Sequence, residues 1–318
     1  MILSSGFWSA VAGRASQAVL VAVVVGVVSF SMMQALPGDS AYRIAAGRYG
    51  YDMMDAASAD VVRAELGLDK PKSVQLMNWL GSLAQFDLGK SAVTGNRVTD
   101  ELKVQLGHSL ILAASGLVVS LLIAVPVGVA AGLRPGGVLD RISLGASIVF
   151  RAVPAFALGV LLMLALAVHM KLLPVAGFQS PKYIILPALT LGLGLAAVSS
   201  RVVRDAVSEA MAAEWRLFSR TKGLSSGQTL RLHVLRNAAL PVVAYVGVQL
   251  AYVIEGVVIV ESIFSWPGIG HALVHAIFSR DVAMVQGTAL ALGLLYVLLN
   301  LLIDLSCHGI DPRRRTMA

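Results

Sequence analysis

Charged residues are scarce in this sequence, and their scarcity argues against a soluble protein. Asp, Glu, Lys and Arg make up 14% of the 318 residues, whereas hydrophobic residues make up 57%. Soluble globular domains carry about a quarter charged residues. A core of ordinary size cannot account for so large a deficit, so the chain is predicted to lie in a membrane.

Cysteine is almost lacking, and so are the patterns of nucleic-acid binding. Cys307 is the single cysteine, which excludes an intrachain disulfide and a cysteine-based metal site. The net charge of +7 comes from Lys and Arg clustered between apolar stretches, which is how membrane topology is encoded. No basic stripe alternates with aromatic residues as single-strand binding requires, and no nucleic-acid partner is predicted.

Complete nucleotide-binding motifs are also missing. Residues 84–91 resemble a P-loop, but Ala84 stands at the first glycine position and no strand precedes the segment. Residues 192–197 fit a relaxed dinucleotide fingerprint, but they lie within an apolar run and outside any βαβ unit. We therefore predict that this chain binds no cofactor of its own.

What the sequence does have is a series of long apolar runs. A membrane-spanning helix takes about 20 such residues. The first run follows Arg14 and is too long for a signal peptide, so it is interpreted as a retained span. About six spans are predicted, with five or seven as alternative counts: Ala15–Leu36, Leu110–Leu133, Ile142–Val168, Tyr183–Ser199, Ala238–Val260 and Met284–Leu305.

The distribution of basic residues predicts the orientation. Most Arg and Lys of the tails and short loops, including Arg313–Arg315, fall on the side of both termini. The opposite short loops hold Lys171, Lys182 and Arg280. Because positive residues are retained on the inside, both termini are predicted to be cytoplasmic and the long loop after the first span extracytoplasmic.

Local patterns predict helices in that loop and bends in the spans. Val74, Met77, Leu80 and Ala84 have helical spacing, and Leu66-Gly67 before Pro71 is typical of a helix end, which together indicate a small helical layer. Gly128 and Gly132 form a Gly-x-x-x-Gly pattern that permits close helix packing. Four prolines in or beside the spans permit kinks: Pro126, Pro154, Pro187 and Pro241.

The segment from Ser208 to Pro241 is the most informative one. Gly223 suits the residue that ends a helix in a left-handed conformation, and Ser225 with Gln228 has capping-box spacing for a second helix. Trp215 and Phe218 lie three residues apart and form a small apolar face. By local pattern alone, this face fits a groove on a cytoplasmic partner and a layer of lipid headgroups equally well.

This segment resembles the Glu-Ala-Ala loop of ABC importer permeases of the dipeptide, oligopeptide and nickel type. The matching residues are Glu214, Trp215, Arg220, Lys222, Gly223, Leu224, His233, Leu235, Arg236, Asn237, Ala238, Leu240 and Pro241. Ser219 stands where the family usually has Ala. Further similarities occur in order along the chain at residues 36–39, 66–71, 86–91, 185–188, 264–270 and 304–313.

The resemblance implies a partnership. The chain would work beside a second related permease, with two cytoplasmic ATPases that bind ATP and Mg²⁺, an extracytoplasmic solute-binding protein, and surrounding lipid of the bacterial inner membrane. The expected divisions are residues 1–107 for the first helix and its loop, 108–306 for the transmembrane core with a coupling loop at 200–237, and 307–318 for a basic tail. The ATPase-coupling residues would be Glu214, Trp215, Phe218, Arg220, Lys222 and Gly223.

Other residues are candidates for the transport pathway. Arg151 and Glu255 are ionisable groups deep within predicted spans, where such groups usually face a cavity or a partner. They are interpreted as pathway residues, or almost equally well as a link to the second permease. Trp266 and Pro267 are predicted to form a turn at the outer ends of two spans and to help shape an outer gate.

Metal binding and other classes of function are less well supported. His271 and His275 have the spacing of a ligand pair on one helix face, but ordinary interfacial histidines are a better interpretation, and no metal site is predicted. A channel or secondary transporter is the alternative class, although no inverted repeat is visible. A membrane enzyme would need a cluster of reactive side chains within the spans, and Arg151 with Glu255 are too few for one.

Among substrates, peptides are favoured, with nickel or a metal chelate as the alternative.

Overall fold

The computed structural model describes residues 5–50, 52, 55–213 and 221–310, with side chains omitted at 5–11, 251, 255 and 304–310. Throughout this part of the chain every regular element is a helix. The α-helices are α1 (Ser5–Ala35), α2 (Ser40–Tyr49), α3 (Ala56–Leu66), α4 (Lys72–Ala84), α5 (Val98–Leu133), α6 (Val138–Ala152), α7 (Ala155–Leu162), α8 (Ile185–Ala212), α9 (Ser226–Thr229), α10 (Leu235–Ile263), α11 (Ile269–Phe278) and α12 (Val282–Ile310).

Short π- and 3-10-helical segments extend three of these helices. A π-helix, Met163–His169, continues α7, and a second one, Leu230–Val234, joins α9 to α10. A 3-10 turn, Pro181–Ile184, leads into α8. The chain between Ser226 and Ile263 is therefore helical without interruption.

The helices confirm a multi-pass membrane protein. Within the described part of the chain, five are long and apolar enough to cross a bilayer: Ala12–Ala35, Val98–Leu133, Pro181–Ala212, Ser226–Ile254 and Val282–Ile303. A sixth span results if the pair Val138–Ala152 and Ala155–His169 is taken as one. The predicted count of about six is thus reached with five continuous helices and one broken pair.

The third predicted span, Ile142–Val168, is broken at Pro154, one of the prolines at which the sequence permits a kink. Helix α6 ends at Ala152, Val153 adopts an extended conformation with ψ 121°, and α7 leaves at an angle of 104° to α6. Proline disfavours the helical conformation in the residue before it and lacks an N–H donor. Pro154 therefore separates two helices, whereas Pro126 and Pro241 lie inside helices that continue past them.

Two other helices extend well beyond their predicted ends. Helix α5 begins at Val98, ahead of Leu110, because Val98 and Leu102 are buried in a core with Met33 and Ile269. Helix α8 continues past Ser199 to Ala212. Buried apolar side chains support that extension: Val203, Ala206, Val207 and Ala210.

The chain forms two compact units, of which the first comprises residues 1–109 and 267–301. Its loop between α1 and α5 contains the predicted helical layer. Asp39 caps α2, and Asp55 with Ser58 forms a capping box that begins α3. Helix α3 ends at Leu66, which confirms the predicted helix end, and its C-cap residue Gly67 is left-handed with a φ of +60°. Ile44 and Val62 form the centre of a small apolar core between α2 and α3.

The second unit comprises residues 110–266 and 302–317. Its main core consists of side chains from α5, α7, α8 and α10, and Phe264 and Trp266 are buried in it. The close packing predicted for the Gly-x-x-x-Gly pattern is confirmed. A Cβ atom on Gly128 would lie 2.7 Å from the Ser200 carbonyl oxygen, and one on Gly132 would lie 2.6 Å from that of Arg204.

Candidate functional site

The turn that ends at Gly223 has the conformation expected from the sequence. Gly223 has a φ of +79°, which side chains with a Cβ atom rarely adopt. No atom lies within 4 Å of the position that a Cβ would occupy there. Backbone conformation, and not lack of space, is therefore what favours glycine at this position.

A new helix begins directly after this turn. The Gln228 N–H donates to the Ser225 hydroxyl over 3.3 Å, and the Ser225 N–H donates to the Gln228 side-chain oxygen over 2.9 Å. These reciprocal bonds confirm the predicted capping box, which satisfies N–H groups that the first helical turn leaves free. The reversal thus leads straight into the long helix α9–α10.

The proposed coupling residues are only partly visible. Lys222 and Gly223 lie in the exposed turn. Glu214, Trp215, Phe218 and Arg220 lie outside the described residues, so their roles stay predictions. Within the predicted coupling loop, residues 200–237, α8 extends to Ala212 and α9 begins at Ser226.

The helices on both sides of this loop pack tightly on each other. Val207 on α8 and Val234 just before α10 are 1% and 0% exposed, and Ala238 lies in the same apolar cluster. A cavity of about 270 Å³, lined by residues of α5, α8 and α10 that include Val129 and Val242, lies beside this cluster. The helices that flank the loop therefore contact each other directly through this cluster.

A buried carboxylate joins α6 to α8 near the loop. Asp140 accepts hydrogen bonds from Arg201 Nη1 at 2.8 Å, and from Arg204 Nε and Nη2 at 3.1 and 2.7 Å. The Gly136 N–H donates to the same carboxylate at 2.9 Å. Only 8% of the Asp140 side chain is exposed. Four donors around one carboxylate make this a specific contact, which we call the α6–α8 clamp.

The sequence analysis missed this clamp, although a signal was present. Arg201 and Arg204 are three residues apart, so they share one face of a helix once α8 is known to extend beyond Ser199. Further along α6 and α8, the hydroxyl oxygens of Ser147 and Ser200 lie 3.3 Å apart. The side-chain amide of Gln249 on α10 donates to Ser199 Oγ over 2.5 Å. Polar contacts therefore join α8 to α6 and to α10.

The break in the third span changes the position of Arg151. This residue lies in the last turn of α6, is exposed, and precedes the bend at Pro154. Carbonyl groups at the end of a helix favour a cation at such a place. Its depth in the membrane stays a prediction. Glu255 lies on α10, and its side chain falls outside the described part, so a meeting of the two groups stays a prediction.

The residues predicted to form an outer turn are held firmly. Trp266 is 3% exposed, and its ring meets that of Phe178 edge to face with centroids 4.8 Å apart. The backbone N–H of Trp266 donates to the Glu261 carbonyl over 2.9 Å. In the first unit, the Pro267 carbonyl oxygen lies 3.0 Å from Nδ1 of His108. Each residue thus has contacts within its own unit, and their role in a gate stays a prediction.

The histidine pair lies on one face of α11, as its spacing predicted. The rings of His271 and His275 lie with centroids 4.5 Å apart. Burial lowers the pKa of His271, and the neighbouring His275 lowers it further. Among the residues that the structure describes, no group of three His, Cys, Asp or Glu side chains is placed to hold a metal ion.

Comparison with known proteins places the chain in a family of membrane transport components. The profile of the family "Binding-protein-dependent transport system inner membrane component" matches residues 124–316, and the profile of that component's N-terminal part matches residues 9–99. The glutathione transport system permease protein GsiC of Pectobacterium atrosepticum is 35% identical over 293 residues, which cover 92% of this chain and 94% of that protein. GsiC of Escherichia coli K12 is 34% identical over 292 residues, with the same coverage.

Two solved transporters share the fold. One is an amino acid ABC transporter crystallised with histidines, with a TM-score of 0.53, 12% identity, and coverage of 66% of this chain and 94% of that chain. The other is the methionine ABC transporter MetNI in an inward-facing conformation, with a TM-score of 0.52, 20% identity, and coverage of 66% and 96%. At these identities the similarity concerns the fold alone.

Proposed function

Because this chain belongs to the family of binding-protein-dependent transport system inner-membrane components and is a permease subunit of an ABC importer, we propose that it forms half of a pathway for short peptides. The observation that carries the proposal is similarity along 92% of the chain to permeases named for glutathione, a tripeptide. We expect the chain to lie in the bacterial inner membrane with both termini in the cytoplasm.

The proposed partners are those of the family's transport systems. A second permease would complete the pathway, two ATPase subunits would bind ATP and Mg²⁺, and a solute-binding protein would deliver the substrate. This chain would have no catalytic site and no cofactor of its own. Nickel or a metal chelate is the alternative cargo, but the His271–His275 pair alone offers fewer ligands than transition-metal sites generally use.

We assign coupling to the loop between α8 and α9. The reversal at Gly223 and the packed stems of α8 and α10 support this role, because movement of an ATPase against the loop would reach both helices at once. Trp215 and Phe218 would be the apolar anchors in the ATPase. Buried aromatic anchors often account for about 2 kcal/mol or more each. Ala at both positions should therefore make the ATPases dissociate during purification.

The α6–α8 clamp would carry that movement further. Asp140 joins α6 to the part of α8 nearest the loop, so α6 would follow when α8 moves. Arg151 lies at the other end of α6, beside the bend at Pro154. In this proposal Arg151 and Glu255 contact the charged ends of a peptide, or else join the two permeases, and Trp266 with Pro267 helps shape the outer gate.

The decisive experiment is reconstitution. The chain is co-expressed with the proposed second permease, ATPases and binding protein, purified through a tag on this chain, and placed in liposomes. We expect the ATPases to co-purify and labelled glutathione or dipeptides to enter only with ATP and binding protein. Uptake of nickel in place of peptides would overturn the substrate assignment. Transport by this chain without an ATPase would overturn the proposal as a whole.

A further inference from the structure

Helix α4, in the loop between α1 and α5, has an unusual surface for a helix outside the predicted spans. From Ser73 to Ala84 it carries no charged residue. Val74 and Met77 are 41% and 68% exposed, and the exposed small residues Gly81 and Ala84 continue the same line at helical spacing, with the exposed but uncharged Asn78 at its edge. We call these four residues the α4 stripe.

The other face of α4 packs on α1 at the level of a membrane span. The Trp79 ring lies against Gly26, so closely that a Cβ there would overlap ring carbons. Gly26 lies inside the span Ala12–Ala35, about nine residues before its end, which corresponds to roughly 14 Å along the helix. Helix α4 therefore lies beside the span and not beyond it.

A second span reaches the same glycine, although Gln286 lies only four residues, or roughly 6 Å, from the start of that span. The Gln286 side-chain amide donates to the Gly26 carbonyl over 3.3 Å, and Gln286 belongs to the span Val282–Ile303. A cavity of about 190 Å³ at this place is lined by Phe30, Trp79 and Gln286 and also by the charged residues Lys90 and Arg280, among others. Trp79 therefore lies beside two spans.

Helix α3 of the same loop provides a contrast. It exposes Val61 at 58%, but Asp60, Arg63 and Glu65 surround it, as expected of a helix in water. On α1, large apolar side chains such as Val28 and Met32 are exposed at 48% and 65%. The α4 stripe matches the surface of the span and differs from that of α3.

We propose that α4 is embedded in the bilayer leaflet on the side of its loop, with the α4 stripe against lipid acyl chains. A helix satisfies its own backbone hydrogen bonds, so it can lie in hydrocarbon where an irregular loop cannot. A charge-free apolar stripe next to a span gains free energy by leaving water. Lipid is thus the partner, and α4 anchors the loop at membrane depth. The proposal does not depend on the transported substrate.

Site-directed spin labelling tests it in the assembled transporter in liposomes, in a Cys307→Ser background. Labels are placed at Met77→Cys and Val74→Cys, with Met32→Cys as the control in lipid and Val61→Cys as the control in water. Collision rates with oxygen, which concentrates in lipid, are compared with those of a water-soluble nickel chelate. Uptake by each labelled transporter shows that it is assembled.

We expect the labels on α4 to collide with oxygen several times more often than with the chelate, as at Met32. Preference for the chelate, as at Val61, would overturn the proposal and place the stripe in water. Low collision rates with both reagents would also overturn it, because a protein surface would then cover the stripe. Met77→Asp gives a second measure, since it should reduce the amount of assembled transporter more than Val61→Asp does.

Discussion

The Asp281 carboxylate accepts a hydrogen bond from the Ser91 hydroxyl over 2.5 Å, and both residues are at least 97% buried. The preceding residue, Arg280, donates to the carbonyl groups of Leu36, Pro37 and Gly38. Two motifs of the first loop, residues 36–39 and 86–91, therefore meet at one turn between α11 and α12.

Removing the carboxylate at this turn should destabilise the first unit. Asp281→Asn weakens the bonds from Ser91 and from the Met284 N–H, and hydrogen bonds to charged groups contribute about 1.5–3 kcal/mol each. We expect a lower melting temperature of the purified complex. Asp100→Asn is the control, because its side chain is 64% exposed and its ion pair with Lys103 contributes little. Equal shifts for the two variants would contradict this account.

Close packing of α5 on α8 predicts a difference between two glycines of one helix. Gly128→Ala places a Cβ 2.6 Å from that of Val203, so the helices must move apart, at a cost of about 1–3 kcal/mol. Gly107→Ala meets no atom within 4 Å and should be neutral or stabilising by up to about 1 kcal/mol. Thermal unfolding of the two variants measures this, and a stable Gly128→Ala protein would refute the packing.

The α6–α8 clamp predicts both a stability effect and a coupling effect. Asp140→Asn leaves Arg201 and Arg204 without their shared carboxylate, and we expect a loss of roughly 1.5–3 kcal/mol. Transport per ATP hydrolysed should fall as well, because α6 no longer follows α8. Asp205→Asn also removes a contact with Arg204, but this residue is 66% exposed and should have little effect. Unchanged coupling in Asp140→Asn would leave the clamp a purely structural contact.

The turn at Gly223 predicts uncoupling without misfolding. Gly223→Val disfavours the left-handed conformation by roughly 1–2 kcal/mol, so the loop should lose its orientation to the ATPase. ATP hydrolysis should continue while uptake falls. Gly227→Val is the matched control, because its surroundings are equally open and its helical backbone accepts valine. Uptake at the original rate in Gly223→Val would exclude this role of the turn.

Charge-neutral variants separate the two roles proposed for the pathway residues. If Arg151 and Glu255 contact the substrate, Arg151→Gln and Glu255→Gln should lower uptake severalfold while the complex stays intact. If they join the two permeases, uptake by intact complexes should be unchanged and the permeases should separate in detergent. Size-exclusion chromatography and uptake assays on the same preparations distinguish these results.

Much of the architecture followed from local sequence. Apolar runs of sufficient length predicted the spans, since hydrocarbon requires a minimum helix length. Glycine residues predicted the end of α3 and the turn at Gly223, and both have a positive φ in the structure. The Ser225–Gln228 spacing predicted a helix start. These features depend on neighbouring residues alone, so the sequence carries them directly.

Other features depended on residues far apart in the chain. Pro154 breaks a span and Pro126 does not, although both lie in apolar runs. The clamp joins Asp140 to arginines about 60 residues away. Asp281 accepts a hydrogen bond from Ser91, which lies 190 residues earlier in the chain. The position of α4 along α1 likewise depends on tertiary contacts, such as that of Trp79 with Gly26. Tertiary packing decided these, because a buried polar or aromatic group is stabilised by the particular partner that the fold brings to it, and no local pattern identifies that partner.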